Sequence, residues 1–210
     1  MITEKDTIKC EAVYNENRTH RLLWKRVWNK EKPMACVIMI NPCQADTILT
    51  DTTTYLVVNN IARLGEYGGV SIVNLFSLLT SKLHFRSDVD INDYSNDQYI
   101  KKAAEEASVV ILAWGKAADT NARIYRRARQ VLDLLENQTE KLRIISDGTR
   151  EGLHPLTPSI RGQWLLTSAE AWIKGNDELA HQREARDAEG EKQKKVVGKA
   201  KTQPELSSEE

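Results

Sequence analysis

The chain has 210 residues, of which 40% are hydrophobic, with 30 basic and 30 acidic side chains. That length supports one domain with a full core plus an appendage, and the even charge excludes a tight non-specific nucleic-acid binder built on a basic face. The residues 175–210 hold seven basic and nine acidic side chains, leaving 23 and 21 in residues 1–174. The expected organisation is therefore an α/β domain over 1–174 followed by a charged, disordered tail over 175–210.

Cys10, Cys36 and Cys43 show no CxxC spacing, and no HxxxH pattern occurs. No structural disulfide, metal site or cofactor is expected, and Cys36, inside an apolar run, reads as a small core residue. With no apolar leader and no stretch of membrane-spanning length, the chain reads as a cytoplasmic protein, a monomer without membrane partners.

In chain order, residues 10–29 read as a hairpin turning at Asn15 and Asn17, with Trp24 and Trp28 capping the core. Pro33 ends the connection to a first apolar run, Val37-Ile38-Met39-Ile40, which leads into Asn41-Pro42 and a polar loop from Cys43 to Thr53. Leu56, Val57, Asn60, Ile61 and Leu64 recur at helical spacing and predict a helix over Thr54–Leu64 closed by Gly65. Gly68-Gly69 opens the second run, Val70-Ser71-Ile72-Val73, which ends at Asn74-Leu75. Ser77 to Asn96 is polar and irregular, and Asp97 is the expected cap of a helix reaching Ala107. That helix feeds a third run, Val109-Val110-Ile111-Leu112, before Ala113-Trp114-Gly115.

A helix over Thr120–Glu136 aligns Ala122, Ile124, Ala128, Val131, Leu132 and Leu135 on one face. Arg123, Arg126, Arg127 and Arg129 fall elsewhere and fit a solvated face better than a phosphate-binding stripe. A fourth run, Leu142-Arg143-Ile144-Ile145, precedes His154-Pro155-Leu156. Ile160, Trp164, Leu165, Ala169 and Trp172 then predict a last amphipathic helix over Ser159–Ile173.

Short β-branched runs spaced by helices are the pattern of strands buried on both faces. The predicted fold is α/β, a three-layer sandwich around a mostly parallel four-stranded sheet with an N-terminal hairpin. Ligands of such sheets bind at the carboxyl ends of the strands, so Asn41, Asn74, Trp114 and His154 are expected around one cleft.

The order of these segments resembles the uracil-DNA glycosylase superfamily. Met39-Ile40-Asn41-Pro42 is similar to its water-activating loop in the Asn-Pro form of the mismatch-specific branch. Ser71-Ile72-Val73-Asn74-Leu75 resembles the strand whose terminal Asn reads a flipped base. Val109 to Gly115 resembles its third strand, and His154-Pro155-Leu156 stands where the superfamily keeps a His-Pro-Ser loop. The whole pattern, over about residues 10–173, also resembles a prokaryotic and phage domain-of-unknown-function family implicated in removing heavily modified bases from phage DNA. Two departures are plain: no Ser follows His154-Pro155, and no aromatic other than Tyr55 offers itself to stack on the base.

The resemblance implies a metal-free, monofunctional DNA glycosylase with an antiviral role. Its partner would be DNA, contacted transiently with one base flipped, and a glucosylated hydroxymethylcytosine is one candidate base. Cleaving an N-glycosidic bond needs a positioned water, negative charge near an oxocarbenium-like sugar, and a donor for the leaving base. Asn41 and Pro42 would hold the water, and Asp46 or Asp51 would supply the carboxylate. Asn74 would read the base edge, with Trp114 packed beneath it. His154 would donate to the base carbonyl, and Leu156 or Leu153 would wedge the stack open. Arg150 and Arg161 would contact phosphate. No lysine stands at a motif position, which disfavours a Schiff-base lyase step. Two further classes stay open: an enzyme acting on free nucleosides or nucleotides, which the balanced charge favours, and a non-catalytic nucleotide-binding module.

Overall fold

A computed structural model of the chain describes residues 1–85 and 90–179. It divides into two compact units, Met1–Trp172 and Ile173–Glu210. Of the second unit only residues 173–179 are described, and they are helical. The tail expected over 175–210 lies, from residue 180 onward, outside the described residues.

The first unit is α/β. Its sheet has seven strands in the order β1-β2-β4-β3-β5-β6-β7. The strands are β1 (Lys9–Tyr14), β2 (Arg21–Val27), β3 (Met34–Met39), β4 (Gly69–Asn74), β5 (Val109–Leu112), β6 (Leu142–Ser146) and β7 (Leu165–Ser168). β4, β3, β5 and β6 are mutually parallel and form the centre; they are the four apolar runs. Every residue of β4 and β5 is buried, as strands covered on both faces require.

Alternate strand residues go to opposite faces. Ala35, Val37, Met39, Val70, Ile72, Val109 and Ile111 share one core with Val57 and Ile61 of α1 (Thr52–Leu64). On the opposite face, the side chains of Ser71 and Leu23 border α2 (Asn96–Glu106) at Tyr99 and Ala103. The short α3 (Ala117–Thr120) and α4 (Ala122–Leu134) follow β5, and Arg127 of α4 pairs with Asp97 of α2.

The sheet is larger and more mixed than the four parallel strands expected. The hairpin does not merely flank it, because β2 pairs antiparallel with β4 from Trp24↔Ile72 to Val27↔Gly69. At the other edge, the helix expected over Ser159–Ile173 is replaced. A 3₁₀ turn spans Pro158–Ile160, β7 pairs antiparallel with β6, and helix begins only at residue 170. Three of the apolar residues behind that expectation, Ile160, Trp164 and Ala169, are buried all the same, while Leu165 is exposed and Trp172 half-buried. What the spacing missed is that β6 would otherwise stand as an exposed parallel edge, which proteins cover.

Helix limits follow local chemistry. Asp51 is the N-cap of α1, accepting from the Thr54 N–H at 2.8 Å, and Gly65 closes it at φ +76°. For α2 the cap position is Ser95 rather than Asp97. α4 starts at Asn121, whose side chain accepts from the N–H groups of Arg123 and Ile124.

Candidate active site

The parallel order β4-β3-β5-β6 brings the four motif segments side by side at one edge of the sheet. Pairing continues past the strands: Leu75 N–H donates to Met39 O and Phe76 N–H to Ile40 O, both at 2.8 Å, and Ala113 N–H to Ile38 O at 2.8 Å. Leu153 N–H donates to Ile145 O at 3.0 Å, which carries the fourth segment up beside the third. There Gly115, at φ +65°, lies so close to His154 that a Cβ on it would stand 2.8 Å from His154 Cβ. Asn74, Asn41, Trp114 and His154 therefore follow one another along the edge.

Asn41 is half-buried, and its amide nitrogen donates to Thr80 O at 2.7 Å and to Pro42 O at 3.3 Å. Pro42 is buried, and its carbonyl accepts from Thr80 N–H. The Asn-Pro loop is thus tied to the segment leaving β4. Two residues of β2 hold its far side. Buried Arg21 donates from Nη1 to Ala45 O at 2.7 Å, and buried Trp24 donates from Nε1 to Asp46 O at 2.7 Å.

Asp46 closes a tight turn. Its Oδ1 accepts from the N–H groups of Ile48 and Leu49, each at 2.7 Å, and its own N–H donates to Leu49 O. Those two backbone donors hold the Asp46 carboxyl below the usual range, so it is ionised at neutral pH. A cavity of about 530 Å³ lies between this turn, the hairpin loop and the β4 exit, lined among others by Asp46, Cys43, Thr80, Ser81, Tyr14 and Arg18. Arg18 has φ +52°, and its guanidinium sits over the Tyr14 ring at 4.4 Å. Of the residues expected to act on substrate, only Asp46 lines this cavity. Asp51 works as the α1 cap, and Tyr55 is exposed on α1.

Asn74 is buried, and its amide nitrogen has no hydrogen-bond partner. Its backbone is clamped from two helices. Asn96 Nδ2 donates to Asn74 O at 3.0 Å, and buried Arg127 donates from Nε to Leu75 O at 2.7 Å while pairing with Asp97. Arg127 thus departs from the solvated face expected of its helix. Arg123 instead packs over Phe85, and Arg129 pairs with Asp133 along the helix.

His154 is half-buried; desolvation lowers its pKa, so the ring is neutral. Its Nδ1 accepts from Leu156 N–H at 3.2 Å, a bond that assigns the proton to Nε2. Trp114 is buried and tilts against Trp172 at 6.0 Å. Leu153 is 4% exposed and Leu156 38%, so Leu153 packs in the core and Leu156 stands at the surface of the His-Pro turn. Arg150 is engaged by Asp147 and Ser159, donating to Asp147 Oδ2 at 2.7 Å and to Ser159 Oγ at 2.9 Å. Together with Ser159 these contacts keep Asp147 strongly acidic. Arg161 donates from Nε to Leu156 O at 3.0 Å, bracing the His-Pro turn.

Sequence reasoning missed Arg127, Asn96, Arg21 and Trp24 as the groups that position these loops. One signal was available: Arg127 stands three residues after Ile124 and four before Val131, on the apolar stripe itself. Among the described residues, no group of three or more His, Cys, Asp or Glu could hold a metal ion. No described helix is long and apolar enough to cross a membrane.

The family described as "Protein of unknown function (DUF1643)" matches residues 21–156. The match opens on β2 and ends at Leu156, so it takes in all four motif segments. It brings no activity with it. No curated protein and no solved structure matches the chain.

Proposed function

The chain belongs to the DUF1643 family, and from its site we propose that it is a hydrolase, a monofunctional DNA glycosylase that removes a base extruded from DNA and leaves an abasic site. The observation that carries this reading is the single row formed by Asn74, Asn41, Trp114 and His154, with a neutral His154 ring protonated on Nε2.

In this mechanism the C1′–N bond breaks toward an oxocarbenium-like sugar and an anionic base. His154 Nε2–H donates to the base carbonyl as that charge develops; one such preorganised donor is worth about 3–4 kcal/mol. Asn74 Nδ2, a buried donor without a protein partner, pairs with an acceptor on the base edge. Leaving such a donor unmet costs about 1–3 kcal/mol, which a bound base recovers. Asn41, with its nitrogen fixed on Thr80, presents Oδ1 to the attacking water. The ionised Asp46, with only Oδ1 tied to the turn, faces the cationic sugar through Oδ2. Water attacks C1′ and its proton leaves to bulk or to Asp46, while the base leaves as the anion held by His154 Nε2–H and takes its proton from bulk solvent on release.

A modified pyrimidine is the proposed substrate, because Asn41 replaces the stronger Asp and no Ser follows His154-Pro155. Glucosylated hydroxymethylcytosine of phage DNA, and with it an antiviral role in the cytoplasm, is the form that the resemblance to the glycosylases suggests. The test is abasic-site formation on unmodified, hydroxymethylated, glucosylated and uracil-containing DNA, read with an abasic-site endonuclease. Cleavage confined to one modified DNA and lost in Asn41→Ala supports the proposal; silence on every DNA by the folded protein refutes it. The balanced charge of residues 1–174 favours a second reading, hydrolysis of free nucleotides in the same cleft. The same protein assayed on nucleoside monophosphates decides it.

A further inference from the structure

Two large aliphatic side chains stand in solvent beside the cavity that Asp46 lines. Ile48 is 84% exposed and Leu49 68%. They are consecutive, and they sit at the tip of the turn that Asp46 closes. That turn is not loose. Asp46 Oδ1 caps both of their N–H groups, Asp46 N–H returns to Leu49 O, and the preceding carbonyls are held from below by Arg21 and Trp24, both buried. Adjacent exposed aliphatic side chains form a contiguous apolar patch, and it is such patches rather than scattered single residues that mark interaction sites.

The size of the feature selects its occupant. A stable protein partner buries roughly 800 Å² on each side, far more than two side chains offer. One or two aliphatic side chains on a stiff support are what separates a single base step, which costs a few kcal/mol of stacking. Behind the tip, Asp46 lines the cavity of about 530 Å³, inside the roughly 300–1,000 Å³ range of small-molecule sites and adjacent to Asn41 through Thr80. The rim opposite carries the Arg18 guanidinium over Tyr14.

We propose that Ile48 and Leu49 form a preformed wedge that enters the base stack of duplex DNA and holds open the step from which a nucleotide is drawn toward the adjacent cavity. This rests on the DNA-glycosylase reading and places a wedge on the Asn-Pro loop beside the His-Pro turn, where Leu153 is buried and Leu156 is exposed. Because the turn is ordered before DNA arrives, little conformational freedom is lost on insertion.

The test reads base unstacking without catalysis. The full chain is titrated onto a duplex carrying one 2-aminopurine opposite a mismatch, and fluorescence is followed beside a binding measurement. The parent protein should raise the fluorescence, and I48S/L49S should lose that rise at saturating protein. Ile8→Ser, at an exposed aliphatic outside the site, should keep it. Both substituted positions are exposed, so thermal unfolding of I48S/L49S should match the parent. An equal rise in I48S/L49S overturns the wedge, as does duplex binding by the parent without any rise. Absence of abasic sites in every DNA would instead fail the glycosylase reading, while a rise lost in I48S/L49S would still establish the wedge.

Discussion

Gly115 offers a sharp test of how the third and fourth motif segments are joined, because a control for its backbone is built into the same chain. Gly65 and Gly115 both have positive φ, +76° and +65°. An alanine at Gly65 meets nothing within 4 Å, whereas at Gly115 its Cβ would stand 2.8 Å from His154 Cβ and 3.3 Å from His154 N. Gly65→Ala therefore measures the left-handed backbone cost alone, about 1 kcal/mol, or roughly 2–4 °C in Tm for a domain of this size. Gly115→Ala adds a contact that backbone atoms must move to relieve. Overpacking of that kind adds about 1–3 kcal/mol, giving a total Tm loss of roughly 4–16 °C. The displacement falls on His154, so activity should drop about tenfold, less than the roughly 100-fold that follows a full 1 Å misplacement. Thermal unfolding by circular dichroism, run on the two variants beside the parent, is the assay. Equal Tm losses in the two would refute the close approach of Gly115 to His154 and with it the joined site.

Three other outcomes are expected. Asp46→Asn keeps an oxygen for the Ile48 and Leu49 N–H groups but removes the charge those donors favour, so Tm should fall slightly while turnover falls about 10²-fold or more; equal activity would reduce Asp46 to a turn residue. Arg127→Ala strips Leu75 O and Asp97 of their partner, and should cost about 2–3 kcal/mol, seen as a shift in urea midpoint. His154 is held below its ordinary value of 6.5 by burial, so below that value the folded chain binds fewer protons than the unfolded one. Its contribution is complete above about pH 6.5 and lost as pH falls toward the depressed folded value. Denaturation at pH 7.5, 6.5 and 5.5 should show the parent losing stability relative to His154→Gln over that interval.

The parallel centre of the sheet was legible because its strands are buried on both faces and so read as unbroken apolar runs. α1 was legible to its stop at Gly65, a local left-handed event, while its start lies at Thr52 behind the Asp51 cap, two residues before the Thr54 expected. β7 was not. Ile160, Trp164, Leu165 and Ala169 satisfy a helical period, but Leu165–Ser168 answers to β6 across the whole of residues 147–164. The row of motif residues was likewise visible from order and strand context alone. The groups that hold it in place were not, because Arg21 reaches Ala45, Trp24 reaches Asp46 and Arg127 reaches Leu75 only after the sheet is assembled. Exposure was the least legible property: nothing in the Asp46–Asp51 loop signals that Ile48 and Leu49 face water.

The strand order also sets a timetable for synthesis. β3 gains its first neighbour as soon as β4 is complete at Asn74, and β4 is already sealed on its outer side by the hairpin. The other flank of β3, Ala35 to Ile38, pairs with Val109 to Leu112, so it waits until a distant part of the message is read. At about 5–20 residues per second that interval lasts several seconds. Throughout it, the nascent chain carries an open, wholly apolar strand edge at the very centre of its future sheet, the kind of surface on which ribosome-associated chaperones act. Yield in the cell should therefore respond to elongation rate between codons 75 and 112 far more than to codon choice before them.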